Sequence, residues 1–100
     1  MQPSLVEHAR GDAEVRRQNN DELVCESTYD LKVWQRYRQV RDLSGSDWVP
    51  ALKRLDGRVT DAVPPMGEHL YLVLPDGRRF NFFVSHPDGT VANMSGGTFP

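Results

Sequence analysis

Side chains that could catalyse a reaction or bind a metal are few and scattered in this chain of 100 residues. None of the three histidines, His8, His69 and His86, lies three or four positions from another, and the sequence has no Cys-x-x-Cys pair. Zinc sites usually use such closely spaced ligands, and phosphate-binding loops place glycines ahead of a helix. We therefore expect no metal and no cofactor.

The groups that most often act as nucleophiles or acids have simpler explanations here. Cys25 falls on the apolar side of its segment, as a small buried thiol would. Asp76 and Asp88 each lie in a Pro-Asp-Gly triplet, where turn geometry alone favours aspartate. We predict no catalytic residue, which leaves enzymatic activity open but disfavours it.

Segment 32–41 is the most suggestive one, because it combines four basic residues with two aromatic ones. Arginines interleaved with aromatic side chains can follow a phosphate backbone and stack on bases. If the segment is helical, Trp34, Arg38 and Arg41 share the face turned away from the core. An ordinary solvated surface is the alternative, since Asp30 and Asp42 flank the cluster. The candidate binding residues of this segment are Trp34, Arg36, Tyr37, Arg38 and Arg41.

Two Pro-Asp-Gly turns organise the last third of the chain into a predicted antiparallel meander. Its strands are expected at about 69–75, 78–85 and 90–95. Pairing Leu74 with Arg78 and His86 with Thr90 sorts side chains consistently, because a one-residue slip would invert every face. The predicted core face contains Leu70, Leu72, Leu74, Phe80, Phe82, Val84, Ala92 and Met94, with Leu70, Phe82 and Met94 aligned.

The far face of this meander is a second candidate surface. Tyr71 and Phe83 would lie there beside Val73 and Val91. If another element covers them, they complete a sandwich or barrel core. If they are open, they mark a protein–protein contact.

The N-terminal half is harder to interpret. Residues 1–22 are predicted to form a peripheral helix, over Leu5–Arg17, or a flexible arm. Residues 23–43 fit a strand, by alternation, and also a helix, by an apolar stripe that includes Tyr29, Val33 and Tyr37. We predict a strand over 23–27 and a helix over about 29–43.

The middle of the chain contains a second ambiguous run. Asp56-Gly57 between Trp48–Leu55 and Arg58–Val63 is typical of a two-residue hairpin turn. A short helix beginning at Trp48 is the alternative, and Pro50 requires an edge position if the run is a strand. We predict the hairpin, and we expect the tail 96–100 to be flexible because it is glycine-rich.

These elements predict a mainly β, α+β fold. The C-terminal meander closes toward a small barrel or sandwich, and one helix from 29–43 packs on it. Residues 23–100 would form a single β-rich domain.

The bulk composition bounds the class of protein. The formal charge of −2 provides no global field for a polyanion, and a single cysteine with no apolar leader indicates a cytoplasmic location. We expect a small non-enzymatic module of a bacterial type that acts by binding another macromolecule, in the first place a protein or a second copy of itself. We expect no membrane partner. RNA or single-stranded DNA binding through 32–41 is the main alternative. An enzyme with a pocket near His69 and Tyr71 is a third, by analogy alone.

Overall fold

A computed structural model of the protein describes residues 2–42 and 45–99. Within these residues the chain is all β, so the predicted α+β fold with one helix is wrong. Six antiparallel strands close into a barrel in the order β1-β2-β3-β6-β5-β4, which is one of the two predicted alternatives, a barrel or a sandwich. The strands are β1 (Ser4–Arg17), β2 (Leu23–Asp42), β3 (Gly45–Thr60), β4 (Leu70–Val73), β5 (Arg79–Val84) and β6 (Thr90–Asn93).

The helix predicted over about 29–43 is part of strand β2; position 43 itself lies outside the described residues. Of the two patterns in this segment, the structure follows the strand alternation, because β1 and β3 pair with the two edges of β2. Tyr29, Leu31 and Val33 are buried in the barrel, whereas Val40 of the proposed helical stripe is 37% exposed. Aromatic and β-branched residues favour this outcome.

The helix or flexible arm predicted for the first residues is strand β1. Ala9 and Ala13 of this strand pack against the core and Val15 is fully buried, whereas Leu5 and Val6 are exposed. Gly11 leaves room for the ring of Tyr29, because a Cβ at this position would lie 3.0 Å from the Tyr29 hydroxyl. Small residues on β1 thus match a large one on β2.

The hairpin predicted at Asp56-Gly57 is also wrong, since β3 runs through both residues without a turn. Gly57 serves close packing, because a Cβ there would lie 2.8 Å from Leu31 Cδ2 and 2.9 Å from Val91 Cγ2. Pro50 pairs with Tyr37 on one side only, so it lies on an edge as a proline in a strand requires.

The C-terminal meander and the first of its registers are confirmed. Leu70 pairs with Phe82 and Leu72 with Phe80, and a three-residue loop connects Leu74 to Arg78. The buried apolar side chains of β4, β5 and the residue that follows β4 are the predicted ones: Leu70, Leu72, Leu74, Phe80, Phe82 and Val84. Asn81 of β5 is also buried, which was not predicted.

The second register is one residue away from the prediction. Ser85 N donates to Thr90 O, so the loop has four residues instead of three, and Val84 pairs with Val91. Val91 consequently faces the core. Ala92 and Met94, which were predicted to lie in the core, are only partly buried. Two turns with the same triplet therefore adopt different lengths.

The tail is packed along the part that the structure describes, although its composition indicated flexibility. The backbone N–H groups of Thr98 and Phe99 donate to the carbonyl of Arg79. Phe99 is 2% exposed and meets Phe80 edge to face, with ring centroids 5.8 Å apart. This aromatic contact closes one end of the barrel.

We expect the two turn glycines to differ in their tolerance of alanine. Gly77 and Gly89 have φ of +91° and +93°. A Cβ on Gly77 would meet no described atom within 4 Å, but one on Gly89 would lie 2.0 Å from the carbonyl oxygen of Val59. Gly77→Ala should lower the free energy of unfolding by about 1–2 kcal/mol, the cost of a left-handed backbone, and Gly89→Ala by clearly more. Urea unfolding measures both, and equal losses would contradict the packing of the second turn on β3.

Candidate functional site

Strands β2 and β3 extend beyond the barrel as a two-stranded arm. The pairing of β1 with β2 begins at Ser4 and Gln35, so from residue 36 onward β2 has no partner on that side among residues 2–42 and 45–99. We define the arm as residues 36–42 and 45–52; at ~3.3 Å per residue it is roughly 20 Å long. It accounts for the elongated shape of the molecule, 55 × 25 × 23 Å.

The two faces of the arm follow from the pairing of β2 with β3. Tyr37 lies opposite Pro50 and Gln39 opposite Trp48, and opposite residues of a strand pair project to the same side. Between Gln35 and Tyr37 the register shifts, with one extra residue on the β3 side at residues 51–52. Tyr37 and Pro50 therefore project to the same side as Gln35 and Lys53. The face that continues the inner face of the barrel is here called the aromatic face; its residues are Tyr37, Gln39, Arg41, Trp48, Pro50 and, at the base, Lys53.

The opposite face, here called the outer face, contains two of the predicted arginines. Arg36 and Arg38 project there together with Val40, and both arginines are exposed. The expectation that Trp34, Arg38 and Arg41 share one face depended on a helix. In the strand, Trp34 and Arg38 are on the outer face and Arg41 is on the aromatic face.

Charge is distributed unevenly between the arm and the barrel. The arm and the adjacent Lys53 and Arg54 contain five basic and two acidic residues, a formal charge of +3. The rest of the chain contains seven basic and twelve acidic residues, a formal charge of −5. A molecule that is negative overall therefore has a positive projection.

Arginines of the barrel and of the arm differ in their partners. Carboxylates lie within 4.0 Å of the barrel arginines Arg10, Arg16, Arg17, Arg58 and Arg78. Among the residues that the structure describes, no carboxylate lies within that distance of Arg36 or Arg38.

Trp34 lies at the base of the arm on the outer face and is half-buried. A shallow groove of about 370 Å³ beside it is lined by Gln2, Pro3, Arg36, Arg54 and Asp56. The indole Nε1–H is inaccessible and has no hydrogen-bond acceptor among the described residues. Trp34 and Tyr37 are both half-buried, whereas Trp48 is 42% exposed, so Trp48 is the most accessible of the three rings.

The other two predicted binding residues lie elsewhere, so the fold does not bring all seven candidates together. Tyr71 is on β4 and Phe83 on β5, and β5 is three strands from β2 in either direction around the barrel. Tyr71 is engaged within the chain: its hydroxyl donates to Asp21 Oδ1 at 2.6 Å, and the Arg79 guanidinium lies 3.7 Å from its ring centroid. The hydrogen bond to Asp21 raises the pKa of Tyr71. Phe83 is only half-buried.

The histidine, cysteine and carboxylate side chains do not form a metal site in the part of the chain that is described. No group of three or more His, Cys, Asp or Glu side chains converges as metal ligands would. Cys25 is half-buried, with its Sγ 3.4 Å from Ser27 Oγ. Residues 2–42 and 45–99 also include no helix with the length and hydropathy to cross a membrane.

An ion pair closes the end of the barrel from which the arm projects. The Arg78 guanidinium makes two hydrogen bonds to the Glu7 carboxylate, and its Cζ lies 4.9 Å from the centroid of the Phe99 ring. The hydrogen bond from Arg78 lowers the pKa of Glu7 below its ordinary value of 4.5, and the charge of Lys53 adds to the effect. Arg78 also binds Asp76, so this end is held by one arginine between two carboxylates.

We expect this contact to make stability depend on pH. Because the folded protein holds Glu7 at a lowered pKa, its contribution is present above about pH 4.5 and is lost as pH falls through the folded-state pKa. Glu7→Gln should flatten the dependence of the free energy of unfolding on pH between roughly pH 5 and 3. Glu26→Gln, an exposed change on β2, serves as the control and should retain the wild-type slope. The same slope in both variants would contradict the assignment.

Comparison of the chain with protein-family models, with curated proteins and with solved structures finds no match.

Proposed function

We propose that the protein binds nucleic acid through the arm. The observation that supports this is the pair of exposed arginines, Arg36 and Arg38. Among the described residues no carboxylate lies within 4.0 Å of either, whereas barrel arginines such as Arg10, Arg16 and Arg58 each have one as a partner. A polyanion can supply those partners, and phosphate contacts of arginine and lysine dominate the affinity of proteins for nucleic acids.

The shape of the arm supports the same conclusion. A two-stranded ribbon is narrow enough to enter a groove of about 12 Å or to lie along a strand. The acidic barrel, with its formal charge of −5, would be repelled by phosphates, so the ligand would approach with the arm first. This orientation explains how a chain of negative net charge can still bind a polyanion.

A comparison of two charge-matched variants tests the proposal. In the first, Arg36, Arg38 and Arg41 are replaced by alanine; in the second, the ion-paired barrel residues Arg10, Arg16 and Arg58 are replaced. Both variants have a formal charge of −5, three less than the wild type. The arm variant should bind RNA or DNA oligonucleotides on the order of 10-fold to 100-fold more weakly, with a salt slope smaller by about two. The measurement is fluorescence anisotropy over a salt series.

The barrel variant should bind close to the wild-type level, because the three arginines that it lacks are paired with carboxylates of the same chain in the wild type. If both variants bound oligonucleotides equally weakly, net charge and not the arm would account for the effect. Lack of binding by the wild type at low salt would refute the function. Unchanged melting temperatures verify that both variants are folded.

A second candidate, self-association, is favoured by the apolar side chains on the same arm. Leu52 is 88% exposed and Trp48 is 42% exposed, so association would remove their apolar surface from water. The positive arm of one copy could pack on the acidic barrel of another, a protein–protein contact in which the charges are complementary.

Sedimentation velocity over a range of protein concentrations tests this second candidate. Wild-type protein should form a dimer that dissociates as salt increases, and Leu52→Ser should shift the equilibrium toward the monomer by about tenfold. A monomer at every concentration would exclude self-association and leave the nucleic-acid proposal unaffected.

A further inference from the structure

We infer that the aromatic face of the arm receives unpaired bases, so that the ligand is single-stranded RNA or DNA and not a duplex. The inference rests on the proposed function and identifies its substrate class. It depends on which side chains share the aromatic face, and on which charges are missing from it.

Two rings occupy neighbouring positions on the aromatic face. Tyr37 pairs with Pro50 and Gln39 with Trp48, so Tyr37 and Trp48 are diagonal neighbours on adjacent strands. Diagonal neighbours are about 7–8 Å apart, roughly twice the 3.4 Å spacing of nucleotides along a stacked strand. Two bases of one strand can therefore lie on the two rings.

The surroundings of these rings suit a nucleic-acid strand. Arg41 and Lys53 lie at opposite ends of the aromatic face and Gln39 lies between, which provides two positive charges and an amide able to donate and accept hydrogen bonds. The carboxylate of Asp47 belongs to the outer face, because Asp47 pairs with Val40. Among the described residues the arm therefore presents its rings on a face without an acidic side chain of its own.

Stacking on exposed rings selects unpaired bases. In a duplex the faces of each base are covered by the neighbouring base pairs, and taking one base out of the stack costs a few kcal/mol. An unpaired base makes the same contact without that cost, and each base–aromatic stack contributes enough to change affinity by about tenfold or more. Trp34 lies on the opposite face of the strand pair, so it cannot stack on bases of the same strand.

The experiment compares three labelled oligonucleotides of one sequence: single-stranded RNA, single-stranded DNA and duplex DNA. Each is titrated with the full chain at low salt, and binding is measured by fluorescence anisotropy. Both single strands should bind at least tenfold more tightly than the duplex. Trp48→Ala should weaken single-strand binding about tenfold, whereas Trp48→Phe, which retains a ring, should lose much less.

Val40→Ala, on the outer face of the same arm, is the matched control and should bind within twofold of the wild type. The arm lies outside the barrel core, so melting temperatures should be the same for all variants. Duplex binding as tight as single-strand binding, or wild-type affinity in both Trp48→Ala and Tyr37→Ala, would overturn the inference while leaving arm-mediated nucleic-acid binding in place. No binding of any of the three oligonucleotides would overturn both.

Discussion

Closure of the barrel depends on two short seams between the N-terminal three strands and the C-terminal meander. β1 meets β4 through two residue pairs, and β3 meets β6 through two more. A few hydrogen bonds, each contributing roughly 1 kcal/mol, cannot hold two sheets together alone. Burial of large side chains, at about 1.5–3 kcal/mol each, is the stronger term. Phe80 and Phe82, stacked with their centroids 5.1 Å apart and fully buried, supply that contact from the meander.

The arm is a consequence of the same closure. The meander strands have four to six residues, which sets the height of the barrel, while β2 has 20 residues and β3 has 16. In the part of the chain that the structure describes, the excess length of β2 and β3 has no partner strand in the barrel and projects as a ribbon. Since core packing determines none of its side chains, the arm can present arginine and aromatic residues that a barrel wall would have to pair or bury.

Sequence patterns predicted best where the structure is local. The first Pro-Asp-Gly turn and the pairing of Leu70 with Phe82 followed from turn chemistry and period-two alternation alone. The predicted register of the second turn was wrong because Gly89 packs against Val59. This contact joins the turn to a strand about 30 residues earlier, and no local sequence pattern contains it. Gly57 was misread for the same reason, since close approach and tight turns require the same residue.

Long-range contacts also explain the two largest errors. Segment 29–43 satisfied both periods, and the decision between them came from the edges that β1 and β3 offered. Phe99 lies in a glycine-rich tail, so composition indicated flexibility, yet its burial depends on Phe80 and Arg78. Composition did locate the arginine and aromatic cluster, but only the strand register shows which members share a face.

The open edge of the arm, formed by β3, has features that discourage pairing with another strand. From residue 45 to residue 56, β3 pairs only with β2 among the described residues, and an open edge of that length is prone to pair with other chains. Pro50 removes a backbone donor from this edge, and the register shift at residues 51–52 bends it next to two basic residues. These are features by which proteins discourage strand addition. A ligand bound as we propose would therefore contact side chains of the arm and not its backbone. Recognition by rings and guanidinium groups is consistent with an edge built in this way.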